Sequence, residues 1–214
     1  MTKRFWLIAL FAAATAAVAN GDAALVTAVE GGVTRVAPGA PLPVQAFAKL
    51  KHGDLLNLDK TARVQVVYFD NGRQETWSGG GRLEITKAGG VANGLAEPQV
   101  KMLPLMMVKQ IAKTPSLDSQ GRAGMMRLRA LPGGQDPLKV EENYQRMRQE
   151  AAADDLNPEL YLLSSMLELR QFERVEQVLA DLRKTRAGNR DAAALVALYD
   201  KALRSAREEG AAPQ

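Results

Sequence analysis

The sequence predicts an α+β protein in two parts, a small all-β domain followed by antiparallel α-helical hairpins. Two observations carry this. Before about residue 100, glycines, valines and turn dipeptides separate short runs with apolar residues at every second position. After it, Glu, Arg, Leu and Ala recur at helical spacing. The expected organisation is a signal segment at 1–19, a β-domain at 20–100, a linker at 101–135 holding a short helix or strand, a helical hairpin domain at 136–209 and a tail at 210–214.

The first element is the leader. Lys3 and Arg4 precede the apolar run "FWLIALFAAATAAVA", which closes on Ala17-Val18-Ala19. Cations, a short apolar centre and a small-x-small ending are the parts of a cleavable secretory signal, with cleavage expected after Ala19. A membrane anchor needs about 20 strongly apolar residues, and here the strongly apolar part ends near Phe11. The mature chain is therefore expected in the periplasm, without stable membrane insertion. The chain has no cysteine, which excludes a disulfide framework and a lipidated cysteine. Its net charge of +4 falls to about +2 when Lys3 and Arg4 are removed, too small a balance to indicate nucleic acid.

In the β-part, "ALVTAVEGGVTRV" reads as a hairpin or a bulged strand broken at Gly31-Gly32. "APGAPLPVQAFAKL" carries three prolines, which suits a surface crossing. Gly53-Asp54 marks a turn before a short strand with Leu55, Leu56 and Leu58. The strongest strand is "ARVQVVYF", with Val64, Val66 and Tyr68 on one face and Gln65, Val67 and Phe69 on the other. Asn71-Gly72 offers the two positive-φ positions of a type I′ turn. That turn pairs Asp70 with Arg73, Tyr68 with Glu75 and Val66 with Trp77, and buries Trp77. "SGGGRLEI" restarts as a strand over Arg82 to Thr86 after a sharp break, and "KAGGVANGLAEPQV" reads as a loose loop. Pro104 opens a helix running to Lys113, while "MMRLRAL" is either one more strand or a helical turn.

Four helices follow. Asp136 caps the first, with Pro137 at its opening position; Asn157 and Pro158 repeat that grammar. The third places Phe172, Val175, Val178, Leu179 and Leu182 on one stripe and stops at Gly188, and the last begins at Asp191. Short connections make neighbouring helices antiparallel.

Two resemblances attach to these residues. The span from about 26 to 86 resembles the FecR-type periplasmic domain family. The matching positions are Gly32 and Val33, then Leu50, Gly53 and Asp54, then Ala62, Arg63, Val64 and Val66, then Phe69, Asp70 and Gly72, and last Gly79, Leu83 and Ile85. The resemblance implies a compact all-β sandwich or roll of the kind found in envelope regulators. This chain departs from those regulators in having no second apolar span and no segment to hold a sigma factor. Residues 157–189 are similar to one tetratricopeptide unit, which implies a helical hairpin offering a concave surface to a protein.

For chemistry the residues offer little. His52 is the single histidine and sits beside a turn, and with no cysteine the usual zinc sets cannot be built. "SGGGR" lacks the helix and the Lys-Ser/Thr of a phosphate cradle. Asp154-Asp155 and Glu141-Glu142 read as solvated charges. Met102, Met106, Met107, Met125 and Met126 form a thioether-rich stretch; packing accounts for it more simply than Cu(I). No catalytic, cofactor or metal residues are assigned. Gly53, Asp54, Asn71, Gly72 and Trp77 are structural positions of the β-domain. The expected function is non-enzymatic: binding or sensing of an envelope protein, with a glycan or peptidoglycan as the alternative ligand. A transmembrane regulator is the third reading, if the leader stays uncleaved.

Overall fold

The computed structural model describes residues 21–117, 123–124 and 136–211. The leader expected at 1–19, "MMRLRAL" with Met125 and Met126, and the last residues of the tail lie outside them. Two antiparallel sheets make up the N-terminal part. The first, sheet A, runs β10 (Gln99–Met102), β7 (Arg73–Ser78), β6 (Arg63–Tyr68), β1 (Asp22–Glu30), β4 (Lys49–Lys51). The second, sheet B, runs β3 (Leu42–Pro43), β2 (Val33–Arg35), β5 (Leu55–Leu58), β8 (Gly81–Ile85), β9 (Gly90–Asn93). A two-residue pair, β11 (Ser116–Leu117) with β12 (Ala123–Gly124), stands apart.

Gly31-Gly32 joins no hairpin: it carries the chain from β1 in sheet A to β2 in sheet B. Gly31 has φ +71°, and a Cβ there would meet the Ala62 backbone at 2.9 Å, so only glycine fits the crossing. Asp59 braces the neighbouring crossing, accepting from Gly32 N at 2.9 Å and Thr61 N at 3.2 Å. β1 is itself bulged, its register with β6 slipping between Val26 and Ala28. The slip turns Thr27 and Ala28 toward one face of sheet A.

Gly53-Asp54 forms the turn from β4 to β5. Gly53 N donates to Ile85 O, and Ile85 N donates to Asp54 O, both at 2.8 Å. The Asp54 carboxylate accepts from Lys51 N at 2.9 Å and faces Arg35 at 3.6 Å.

The β6–β7 hairpin corrects the expected register. Val64 pairs with Trp77 and Val66 with Glu75, so the loop is the four residues Phe69 to Gly72 and not Asn71-Gly72 alone. Gly72 is left-handed at φ +73° but Asn71 is not, which rules out a type I′ turn. The Asn71 side chain is taken up instead: Oδ1 accepts from Arg73 N and Nδ2 donates to Ala88 O, both at 2.9 Å. The shift is two residues, so facing is preserved and Trp77 is buried with Val64 and Val66.

The loop expected at 87–100 also needs correcting, because it contains β9 and the first half of β10. Both are edge strands and nearly all exposed, so neither carries an alternating apolar pattern. β10 lies between Pro98 and Pro104, which limit its length.

Five helices follow: α1 (Leu105–Ile111), α2 (Pro137–Glu150), α3 (Asn157–Glu168), α4 (Phe172–Thr185) and α5 (Arg190–Ala211). Asp136 caps α2, accepting from Leu138 N at 3.0 Å. α3 departs from expectation: Asn157 is its first residue and not its cap, and Asp155 accepts from Asn157 N at 3.0 Å. α5 begins at Arg190, one residue before the expected Asp191, and Asn189 caps it, accepting from Ala192 N at 2.8 Å. Every residue of α3 from Asn157 to Leu167 is buried. A helix covered on all sides carries no narrow stripe, and none of it is left to line a concave surface.

Two apolar cores result. One fills the sandwich and includes Val26, Leu56, Val64, Val66, Trp77 and Leu83. The other surrounds α3 and reaches into sheet A through Leu25 and Val67, and to Phe47 beside β4. Sheet A is therefore covered on one face by sheet B and on part of the other by helices. Among the described residues no helix is long and apolar enough to cross a membrane.

Candidate functional site

The face of sheet A turned toward the helices changes character along its strands. Opposed residues of antiparallel neighbours share a face, and the registers give three successive rows. Leu25, Val67, Gln74 and Lys101 form the first; the apolar pair lies in the helical core. Ala28, Gln65, Thr76 and Gln99 form the second, and Glu30, Arg63 and Ser78 the third. The helices cover the first row at Leu25, Val67 and Gln74, while Lys101 stays exposed. The segment joining α2 to α3 projects over the second and leaves a cleft of about 320 Å³ between itself and the sheet.

The floor is wired before any ligand arrives. Bulged Thr27 donates from Oγ1 to Gln65 Oε1 at 2.7 Å, and Gln65 Nε2 donates to Thr76 Oγ1 at 3.5 Å. Gln74, 5% exposed, accepts on Oε1 from Asn157 Nδ2 at 2.7 Å, so the first residue of α3 aims a side chain of the floor. This explains why Asn157 does not cap its own helix. Asn157 Oδ1 is buried without a partner.

The overhanging wall is Ala152, Asp154 and Asp155. It is held by Arg148, whose guanidinium donates to the carbonyls of Asp155 at 2.6 Å, Ala151 at 3.2 Å, and Ala152. The same guanidinium reaches both carboxylate oxygens of Glu159 on α3, at 3.0 and 3.2 Å. Tyr144 donates to Glu159 from the other side at 3.4 Å; burial and that carboxylate push the phenol up from its ordinary value. A planar fork with five donors suits this task, which lysine's point charge would not. Lys101 on β10 faces Asp155 at 3.6 Å, closing one end of the cleft.

A second polar cluster lies inside the sandwich. Glu75, 1% exposed, accepts from Arg73 Nε at 2.5 Å, Trp77 Nε1 at 3.0 Å and Gly90 N at 2.9 Å. Such a buried carboxylate is tolerable because its oxygens are occupied. The Tyr68 hydroxyl is buried without a hydrogen-bonding partner; desolvation, then the Glu75 charge, push its pKa well up. A third buried polar set joins Thr114, Ser164 and Tyr199, with Ser164 and Tyr199 oxygens 2.5 Å apart. Burial pushes the Tyr199 phenol up to about 12.

The five positions singled out from sequence are not brought together. Gly53 and Asp54 stand at the β4–β5 turn, Asn71 and Gly72 at the β6–β7 loop, and Trp77 in the inter-sheet core; none lines the cleft. His52 is exposed in its turn. Met102 and Met106 are exposed while Met107 is in the helical core. Among the described residues no group of three or more His, Cys, Asp or Glu side chains is placed to hold a metal ion.

Sequence reasoning missed Glu75 and the cleft. Alternation held the signal for Glu75: if Trp77 faces inward, so does the residue two before it. For the cleft, the signal was the switch from Val67 to Gln65 along one face of β6. No protein-family model, no curated protein and no solved structure matches the chain.

Proposed function

We propose that the protein is a non-enzymatic binding or adaptor protein of the cell envelope, exported by its leader, whose ligand seat is the cleft under the α2–α3 segment. The observation that carries this reading is the construction of that cleft. Its floor comes from the β-part and its wall from the helical part, and both are braced from behind, by Thr27 and Asn157 and by Arg148. Pre-organised polar groups in a concavity are what a binding site needs in order to avoid ordering costs on association. The FecR-like and tetratricopeptide-like spans are consistent with envelope proteins that work by contact. The α3–α4 hairpin in this reading serves as the support for the wall, and not as a concave groove.

The uncharged row of Gln65, Thr76 and Gln99 gives some weight to a second reading, a glycan or peptidoglycan ligand. Crosslinking in intact cells with a photoreactive residue at Gln99, followed by mass spectrometry, separates the two. One dominant envelope protein supports the adaptor reading, wall fragments support the glycan reading, and equal yields when the photoreactive residue is moved to exposed Val91 on β9 would remove the cleft from both. Release of the mature chain by osmotic shock, with an N-terminus at Asn20, is the expected result for its location; retention in the membrane fraction would contradict it.

A further inference from the structure

Taking the cleft as the seat, we infer that its ligand is an extended peptide segment of a partner protein that carries a basic side chain. Three features of the lining lead there.

The first is the direction of the hydrogen-bonding groups. Gln65 is used at both ends by Thr27 and Thr76 and serves to stiffen the floor. Gln74 has its oxygen held by Asn157, which leaves its amide N–H groups without a partner among the described residues. Gln99, on the same face one strand away, is exposed. Donors standing in the middle of a floor suit the carbonyl groups of a peptide backbone. The spacing agrees. Side chains on one face of a strand repeat about every 7 Å, the two-residue period of an extended peptide, and the floor holds the pairs Gln99 and Lys101, Thr76 and Gln74, Gln65 and Arg63.

The second is charge. The lining carries three carboxylates, Glu30, Asp154 and Asp155, against two cations, Arg63 and Lys101. Lys101 is engaged with Asp155, and Arg63 lies directly across from Glu30. Asp154, exposed on the overhanging wall, has no ion-pair partner among the described residues and leaves the cleft one negative charge to be met by the ligand.

The third is the lack of an aromatic side chain among the described residues of the lining. Sugar rings bury their C–H faces against flat aromatic surfaces, and the aromatic side chains nearest in sequence, Tyr68 and Trp77, are committed to the inter-sheet core.

The test is selection of a random-peptide library displayed on phage against the whole mature protein, with an array of N-acetylglucosamine oligomers and muropeptides probed in parallel. The expected result is enrichment of peptides containing Lys or Arg. A synthetic copy of an enriched peptide should bind at least about tenfold more weakly to Asp154→Lys, because like charges would then meet. The same loss is expected when its basic residue is replaced by Glu. Asp154 is exposed, so the variant's unchanged melting curve separates lost binding from lost folding; Gln74→Leu serves as the second variant. Enriched peptides that lack a basic residue, or that bind Asp154→Lys equally well, would overturn the inference while leaving the cleft as a seat. Saccharide binding abolished by Asp154→Lys, with no peptide enriched, would do the same in favour of a glycan. Peptides that bind both variants unchanged while crosslinks from Gln99 find no partner would sink the seat as well.

Discussion

In the sandwich, β6 and β8 each contribute every second residue to the core: Val64, Val66 and Tyr68 from β6, Leu83 and Ile85 from β8. The alternate positions remain for water or for a second layer. Around α3 there is no such division. Asn157, Glu159, Ser164 and Ser165 are buried beside Leu160, Leu162 and Leu163 on one helix. A strand can present its polar residues outward, whereas a helix enclosed on every side must find each polar group a partner inside. Glu159 finds Arg148, Ser164 finds Tyr199 and Asn157 Nδ2 finds Gln74, while Asn157 Oδ1 and Ser165 Oγ find none. The sandwich core is thus apolar apart from the Glu75 cluster at its edge. The helical core is a network in which packing and hydrogen bonding must succeed together.

That contrast can be broken most directly at Trp77 and Leu160, one from each core. Trp77→Ala should cost about 3–5 kcal/mol and Leu160→Ala about 2–5 kcal/mol, as large core truncations do. Because Leu25 and Val67 of sheet A belong to the helical core, each variant should melt in a single transition by both near-ultraviolet circular dichroism and calorimetry. Two separated transitions would show that the cores are independent. Next in size, Arg148→Met leaves Glu159 buried with only Tyr144 and should cost about 3 kcal/mol. The methionine fills much of the volume, so a cost below about 1 kcal/mol in urea unfolding would mean that the ion pair does not organise this core. Gly90→Ala probes the sandwich edge. A Cβ there would meet Leu83 at 2.6 Å and Trp77 at 2.9 Å, an overpacking worth about 1–3 kcal/mol.

The smallest effect concerns Asp191, which joins the two parts by accepting from Val29 N at 3.3 Å. Desolvation, the largest cause, raises its pKa despite that hydrogen bond, and Glu30 adds to the rise. A raised carboxyl in the fold means that the native state holds more protons than the unfolded one. Stability from this group is therefore present at low pH and lost as pH rises through the carboxylate range. Asp191→Asn keeps an acceptor for Val29 and should flatten that part of the pH–stability curve. A variant curve parallel to the parent's would assign the slope to other groups.

The strand faces, the caps at Asp136 and Pro137 and the stripe on α4 were legible because each is a local rule repeated within a few residues. Register was not, since Asn71-Gly72 suits a two-residue turn in isolation, whereas in the fold the Asn71 side chain bridges Arg73 N and the distant carbonyl of Ala88 within a longer loop. β9 and β10 escaped because edge strands have no buried face to mark. Asn157 looked like a cap until Gln74, 83 positions away, claimed its side chain. The candidate cleft shares this origin. Its floor and its wall are distant in sequence and come together only where the helices pack against sheet A.

The shared core also bears on what becomes of an incomplete chain. Residues 22–102 hold Leu25, Phe47 and Val67, whose cover belongs to α3 and its neighbours. Without that cover the face is an exposed apolar surface of the kind chaperones hold. A chain truncated before α3 would keep it permanently, so nonsense or frameshift products of this protein should be sticky and readily degraded, not stable fragments.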